Sequence, residues 1–153
     1  MFNHSLGLSS AKTTPEVKAE LLGLLGLRHL SEAPVRWPAM WGISVDDGES
    51  LDKSTQKMYT KEFGAPATTE VFYSINFKVD EGDIEQAAST MLVSAAQLAD
   101  RMDASAVLFF ETGPVIMRRV DGVLYLSEEW WNDPDVVARL PGEPVFRDDL
   151  GIV

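Results

Sequence analysis

From Thr69 the chain alternates: Val71, Tyr73, Ile75, Phe77 and Val79 fall on one side of an extended backbone, and Phe72, Ser74, Asn76 and Lys78 on the other. A period of two is the signature of a strand with one apolar face. Such a strand must pair within a sheet and must have its apolar face covered. The next segment supplies the cover. Asp80-Glu81-Gly82-Asp83 breaks the strand and sets carboxylates where a helix dipole favours them. A helix is predicted from Ile84 to Met102, with Ile84, Ala88, Met91, Ala95, Leu98 and Met102 on one stripe and Ala87, Leu92 and Ala99 beside it. Those small side chains let the helix lie close against the sheet.

The same logic places the other elements. Phe2, His4, Leu6 and Leu8 alternate with Asn3, Ser5 and Gly7 and predict an opening strand. A helix follows, started either by Thr14 with Pro15 in its first turn or by a Thr13–Glu16 capping box, and ended by Gly26. Val17, Leu21, Leu24 and Leu25 form its apolar face. Met40–Val45 predicts a second strand, closed by Asp46-Asp47-Gly48. Residues 49–66 are open between a loop, a short helix and a mobile connection. Ala106–Glu111, Val115–Val120 and Val123–Leu126 predict three closely spaced strands. Thr112-Gly113-Pro114 joins the first pair, and Asp121-Gly122, a preferred type I′ turn, joins the second. Beyond residue 132 a short helical turn is expected around Asp135–Leu140, in a tail that wraps the surface.

The expected fold is therefore α+β: a mainly antiparallel sheet with two helices packed on one face, a βαββαβ-like core plus a C-terminal hairpin strand. With 153 residues, a single domain over 1–153, its tail at 132–153, is the natural reading. The formal net charge is −11. Residues 1–67 carry seven basic and eight acidic side chains, and residues 68–153 carry six and sixteen. Most of the negative field thus belongs to the second part, where it repels phosphate backbones and favours a basic protein partner. No apolar run approaches the roughly 20 residues that span a bilayer, and MFNHSLGLSS does not resemble a secretory signal. With no cysteine, the expected location is the cytoplasm.

The search for chemistry returns little. The histidines are His4, on the apolar side of the first strand, and His29, just past the first helix; no serine or cysteine motif accompanies either. Asp46-Asp47-Gly48-Glu49-Ser50-Leu51-Asp52 misses the EF-hand spacing and reads as a solvated turn. There is no H-E-x-x-H, P-loop or dinucleotide fingerprint. We expect no catalytic residues, no metal and no cofactor.

What stands out is Ser127-Glu128-Glu129-Trp130-Trp131-Asn132-Asp133-Pro134-Asp135, adjacent tryptophans set among acids directly after the last strand. Alternation sends adjacent side chains apart, so one ring packs on the domain while the other tends outward. An outward tryptophan ringed by carboxylates is suited to anchor a basic protein partner. The competing reading has both rings covering the end of the sheet.

Over residues 69–126 the chain resembles the bacterial Sit (swarming-inhibition toxin) immunity family. The likeness is carried by the strand Tyr73–Val79, the apolar strand Val107–Phe110, and the hairpin Val115–Leu126 with Arg118-Arg119 before its turn. The resemblance implies a small cytosolic protein that neutralises a toxin delivered by a neighbouring kin cell, without catalytic residues. Under it, Trp130 or Trp131 anchors the toxin, Glu128, Glu129, Asp133 and Asp135 steer it, and Arg118 faces the toxin or pairs with these acids. It implies no contact with nucleic acid or membrane, and a monomer or homodimer. Two other readings remain open from the residues: a small-molecule-binding or enzymatic domain with a cleft near residues 46–63, and an oligomerising accessory protein.

Overall fold

A computed structural model describes residues 1–111 and 113–153. The chain runs β1 (Phe2–Ser9), α1 (Thr14–Leu25), α2 (Ala33–Arg36), β2 (Met40–Asp47), α3 (Lys53–Phe63), β3 (Thr69–Ile75), α4 (Glu81–Arg101), β4 (Ser105–Phe110), β5 (Val115–Val120), β6 (Val123–Ser127), α5 (Pro134–Val137) and β7 (Val145–Arg147). The class is α+β. The strands form a seven-stranded sheet in the order β2-β3-β1-β4-β5-β6-β7. All neighbours are antiparallel except β6 and β7. The order β2-β3-β1-β4 is that of a split βαββαβ unit, and the two strands after it extend the sheet as a hairpin.

Local chemistry sets the element ends. Thr13 caps α1: its hydroxyl accepts from the Glu16 amide (3.3 Å), and the Glu16 carboxylate accepts from the Thr13 amide (3.1 Å). Asp121 and Gly122 have φ of 50° and 79°, the left-handed pair that lets Val120 face Val123 across a two-residue loop. The turn expected at Thr112-Gly113-Pro114 includes residue 112, which lies outside the described residues.

Three expectations are corrected, and one stretch left open is resolved. The strand predicted through Val79 ends at Ile75, because the Asn76 side chain accepts from the Lys78 amide (3.0 Å) and turns the chain. The second long helix begins at Glu81 rather than Ile84. The open stretch 49–66 contains α3, capped by the Asp52 carboxylate on the Thr55 amide (2.7 Å). The tail contributes β7, which pairs with β6 in parallel.

The helices do not reduce to two on one face. On one side of the sheet, α1 and α4 bury Leu21, Leu25, Met91, Leu98 and Ala99 against Leu6, Leu8, Tyr73 and Leu108. The Tyr73 hydroxyl lies 3.3 Å from that of Ser94, joining β3 to α4 inside this core. On the other side, α3 sets Tyr59 against Val107, Phe109 and Val115. Tyr59 is fully buried and lies directly over Gly7 of β1, where any Cβ would collide with its ring. Its hydroxyl donates to the buried carboxylate of Glu70.

Candidate protein-interaction surface

The segment after β6 is shaped by one carbonyl. Ser127 O accepts from the amides of Trp130 and Trp131, each at 3.1 Å. Both indoles then pack on the same core, Trp131 within it and Trp130 at its edge. Trp131 goes inward, is 2% exposed, and donates from Nε1 to the Ile116 carbonyl (3.1 Å). Ile116 sits where the β4–β5 register skips from Leu108↔Met117 to Phe109↔Val115, so the indole serves a carbonyl at an irregularity in the ladder. Trp131 is thus a core residue with a satisfied donor.

Trp130 is half-buried. Its ring lies 6.0 Å from those of His4 and Phe110. Glu128, Glu129, Asp133 and Asp135 are all exposed. The Glu128 carboxyl is pushed above the usual carboxylate range by a hydrogen bond to Asp148 and by that neighbour's charge. The Glu128 amide, meanwhile, donates to the Arg147 carbonyl (3.0 Å) beside β7. Asp133 caps α5 by accepting from the Asp135 amide (2.9 Å).

Arg118 lies elsewhere. It stands opposite Val107 in the register, on the α3 side of the sheet. There it donates to both carboxylate oxygens of Glu62, Nη2 at 3.3 Å, and to the Leu150 carbonyl. Arg119 points to the other side and binds the Ala104 carbonyl (2.9 Å) and Asp103 (3.1 Å). Glu128, Glu129, Trp130, Asp133 and Asp135 thus lie along one stretch of chain, while Trp131 is buried in the core and Arg118 is tied to α3.

Sequence reasoning passed over three aromatic neighbours of this stretch. Phe2, Phe77 and Phe110 come from separate parts of the chain and meet only in the fold. Beneath them His4 is 3% exposed, and neither ring nitrogen has a hydrogen-bond partner. Burial lowers its pKa from 6.5 to about 4, so it is neutral at physiological pH. The signal available in the sequence was the shared parity of Phe2 and His4 on β1. The buried Glu70 was also passed over, since the side of β3 read as polar is partly roofed by α3.

Near residues 46–63 the surface has an open hollow lined by residues that include Lys12, Asp47, Glu49 and Gln56. The Gln56 amide bridges the Gly48 and Ala67 carbonyls and accepts from the Ala67 amide (3.1 Å), fastening α3 to the end of β2. Among the described residues, no group of three or more histidine or carboxylate side chains is placed to hold a metal. No described helix is long and apolar enough to cross a membrane.

Comparison with solved structures gives one chain from the CdiA-CT/CdiI toxin and immunity complex of Burkholderia pseudomallei. It has a TM-score of 0.45 at 15% identity, covering 72% of this chain and 91% of that one. The likeness is too loose to bear on function. No curated protein matches the sequence. The profile of the SitI3-like family matches residues 2–135, from the first residue of β1 into α5. On that span, the chain belongs to the SitI3-like family of Sit immunity proteins.

Proposed function

We propose that this protein acts in the bacterial cytoplasm by binding a cognate toxin domain and covering the surface through which that toxin works. Membership of the SitI3-like family carries the reading. It asks for a stable scaffold and a complementary surface, with no reaction of its own. The acidic residues concentrated in the second part of the chain suit a basic partner and oppose phosphate backbones. In this reading Trp130 is the anchor, Glu128, Glu129, Asp133 and Asp135 steer the encounter, and Trp131 holds the anchor's platform from below. Arg118 contributes indirectly, by fixing the tail against α3.

The experiment is to search the reading frames beside this gene for a toxin domain and to co-express the two. Cells making both proteins are expected to grow, and cells making the toxin alone to stop. Equal killing with and without this protein would sink the proposal. Co-purification of the two chains, with the toxin's activity suppressed in the complex, supports occlusion as the mechanism.

A further inference from the structure

Where β1 begins and β3 and β4 end, aromatic rings stand in an unbroken row. Ring centroids are 5.0 Å apart between Phe77 and Phe2, 5.7 Å between Phe2 and Phe110, and 6.0 Å between Phe110 and Trp130. Phe77 is 43% exposed and Phe2 39%. Contacting rings left in water mark an interaction site more strongly than scattered apolar residues do. Carboxylates outnumber cations beside the row. Asp80 and Glu81 lie just after Phe77, Glu111 follows Phe110, and Glu128 and Glu129 precede Trp130, all five exposed, against Lys78 after Phe77 and the chain's first residue before Phe2. Among the described residues, none of these carboxylates is in an ion pair.

Under the row lies His4, whose ring nitrogens are the buried side-chain polar atoms without a partner among the described residues. Both nitrogens are closed off from solvent, so they mark a cost of packing Phe110 and Trp130 over β1, at ring distances of 5.1 and 6.0 Å, and not a contact open to a partner.

We propose that the row Phe77–Phe2–Phe110–Trp130 is the face that receives the toxin, and that its occupant is a toxin segment bearing an apolar side chain flanked by lysine or arginine. The proposal rests on the immunity reading and gives that reading a surface extending well beyond residues 128–135. The apolar side chain covers Phe2 and Phe77. The cations lie over the ring faces and reach the carboxylates around them. A second copy of this chain fits poorly, because a symmetric contact sets acidic rim against acidic rim.

The test measures binding of the purified toxin domain that the co-expression experiment identifies. One variant is Phe2→Ser with Phe77→Ser, at a strand start and a turn. The control is Val35→Ser with Trp41→Ser, whose side chains are 87% and 63% exposed outside the row. Affinity is expected to fall about 30-fold or more in the first and less than about 3-fold in the second. Unchanged binding by the phenylalanine variant, or equal loss in the control, overturns the proposal and leaves the immunity reading standing. Failure of the wild-type protein to bind overturns both. Should the phenylalanine variant melt early, hydrogen exchange of the wild-type complex decides: protection must appear at residues 2–4, 77–81 and 110–111, and its absence there rejects the face.

Discussion

The Tyr59 hydroxyl, carried on α3, donates to the Glu70 carboxylate on β3, so a buried acid is held in place by a buried phenol on the side of the sheet opposite α1 and α4. Burial is the largest influence on both groups. It raises the pKa of each, and the charges of Asp46 and Asp52 raise Glu70 further.

A pH signature follows from that pair. With its folded pKa above the ordinary carboxylate value, Glu70 binds its proton more readily in the native state. Stability therefore falls as pH rises from the ordinary carboxylate range through the folded pKa. Glu70→Gln is expected to flatten this segment of the curve, measured by denaturant unfolding across pH. Tyr59→Phe leaves the acid unpaired and is expected to cost about 1–3 kcal/mol. Gly7→Ala drives a methyl into the Tyr59 ring and is expected to cost about as much as an overpacked core, roughly 1–3 kcal/mol.

His4 gives the opposite slope. Its folded pKa of about 4 lies below the ordinary 6.5, so the unfolded chain takes up the proton first. Its contribution is full above pH 6.5 and is lost as pH falls toward 4. His4→Leu is expected to remove this loss and to leave stability at neutral pH equal or higher, since it also removes two orphaned nitrogens. Titration of the imidazole by NMR checks the pKa, and melts at pH 5 and 7 check the sign. An imidazole titrating at its ordinary value contradicts the burial argument.

The adjacent tryptophans are expected to separate by phenotype. Trp131→Ala removes a core ring and strands the Ile116 carbonyl, a loss of about 3–5 kcal/mol. Trp130→Ala, at a half-buried position, is expected to cost less stability and to weaken toxin binding. Melting temperature and dissociation constant, measured on the same two proteins, decide the assignment. Equal destabilisation by both changes would reassign Trp130 to the core.

Charge reversal isolates steering. Glu128→Lys with Glu129→Lys is expected to slow association with the toxin domain, with the difference from wild type shrinking as salt rises. Association rates indifferent to both the substitutions and the salt would remove these acids from the encounter.

Much of the scaffold was legible because its causes are local. A capping box and Gly26 bound α1, two left-handed residues make the β5–β6 turn, and alternation marks β1 and β3. Other features depend on partners far away in sequence. The helix α3 is mostly polar, and its apolar side chains Tyr59 and Phe63 acquire a surface only when β4 and β5 bring Val107, Phe109 and Val115 together. Asn76 ends β3 early because its side chain outcompetes the ladder, a contest the apolar pattern does not register. For the proposed surface, residues 128–135 stood out by composition, whereas the core that Trp130 shares with Trp131 is built from distant strands and did not. The ring row was not legible, since positions 2, 77 and 110 become neighbours only through the pairing of β1 with β3 and β4.

The three-residue strand β7 has a consequence for how the molecule coexists with others of its kind. Antiparallel sheets that end on an apolar strand invite further strands and grow into aggregates. Here Val145–Arg147 takes up the outer side of β6, is too short to template much, and lays the Arg147 guanidinium over the Tyr125 ring at 5.6 Å. At the opposite margin, β2 carries a bulge beside Trp41 and ends in Asp46 and Asp47. Both margins thus discourage uncontrolled stacking, so a sheet that leaves Phe2 and Phe77 partly in water does not become a seed for fibres.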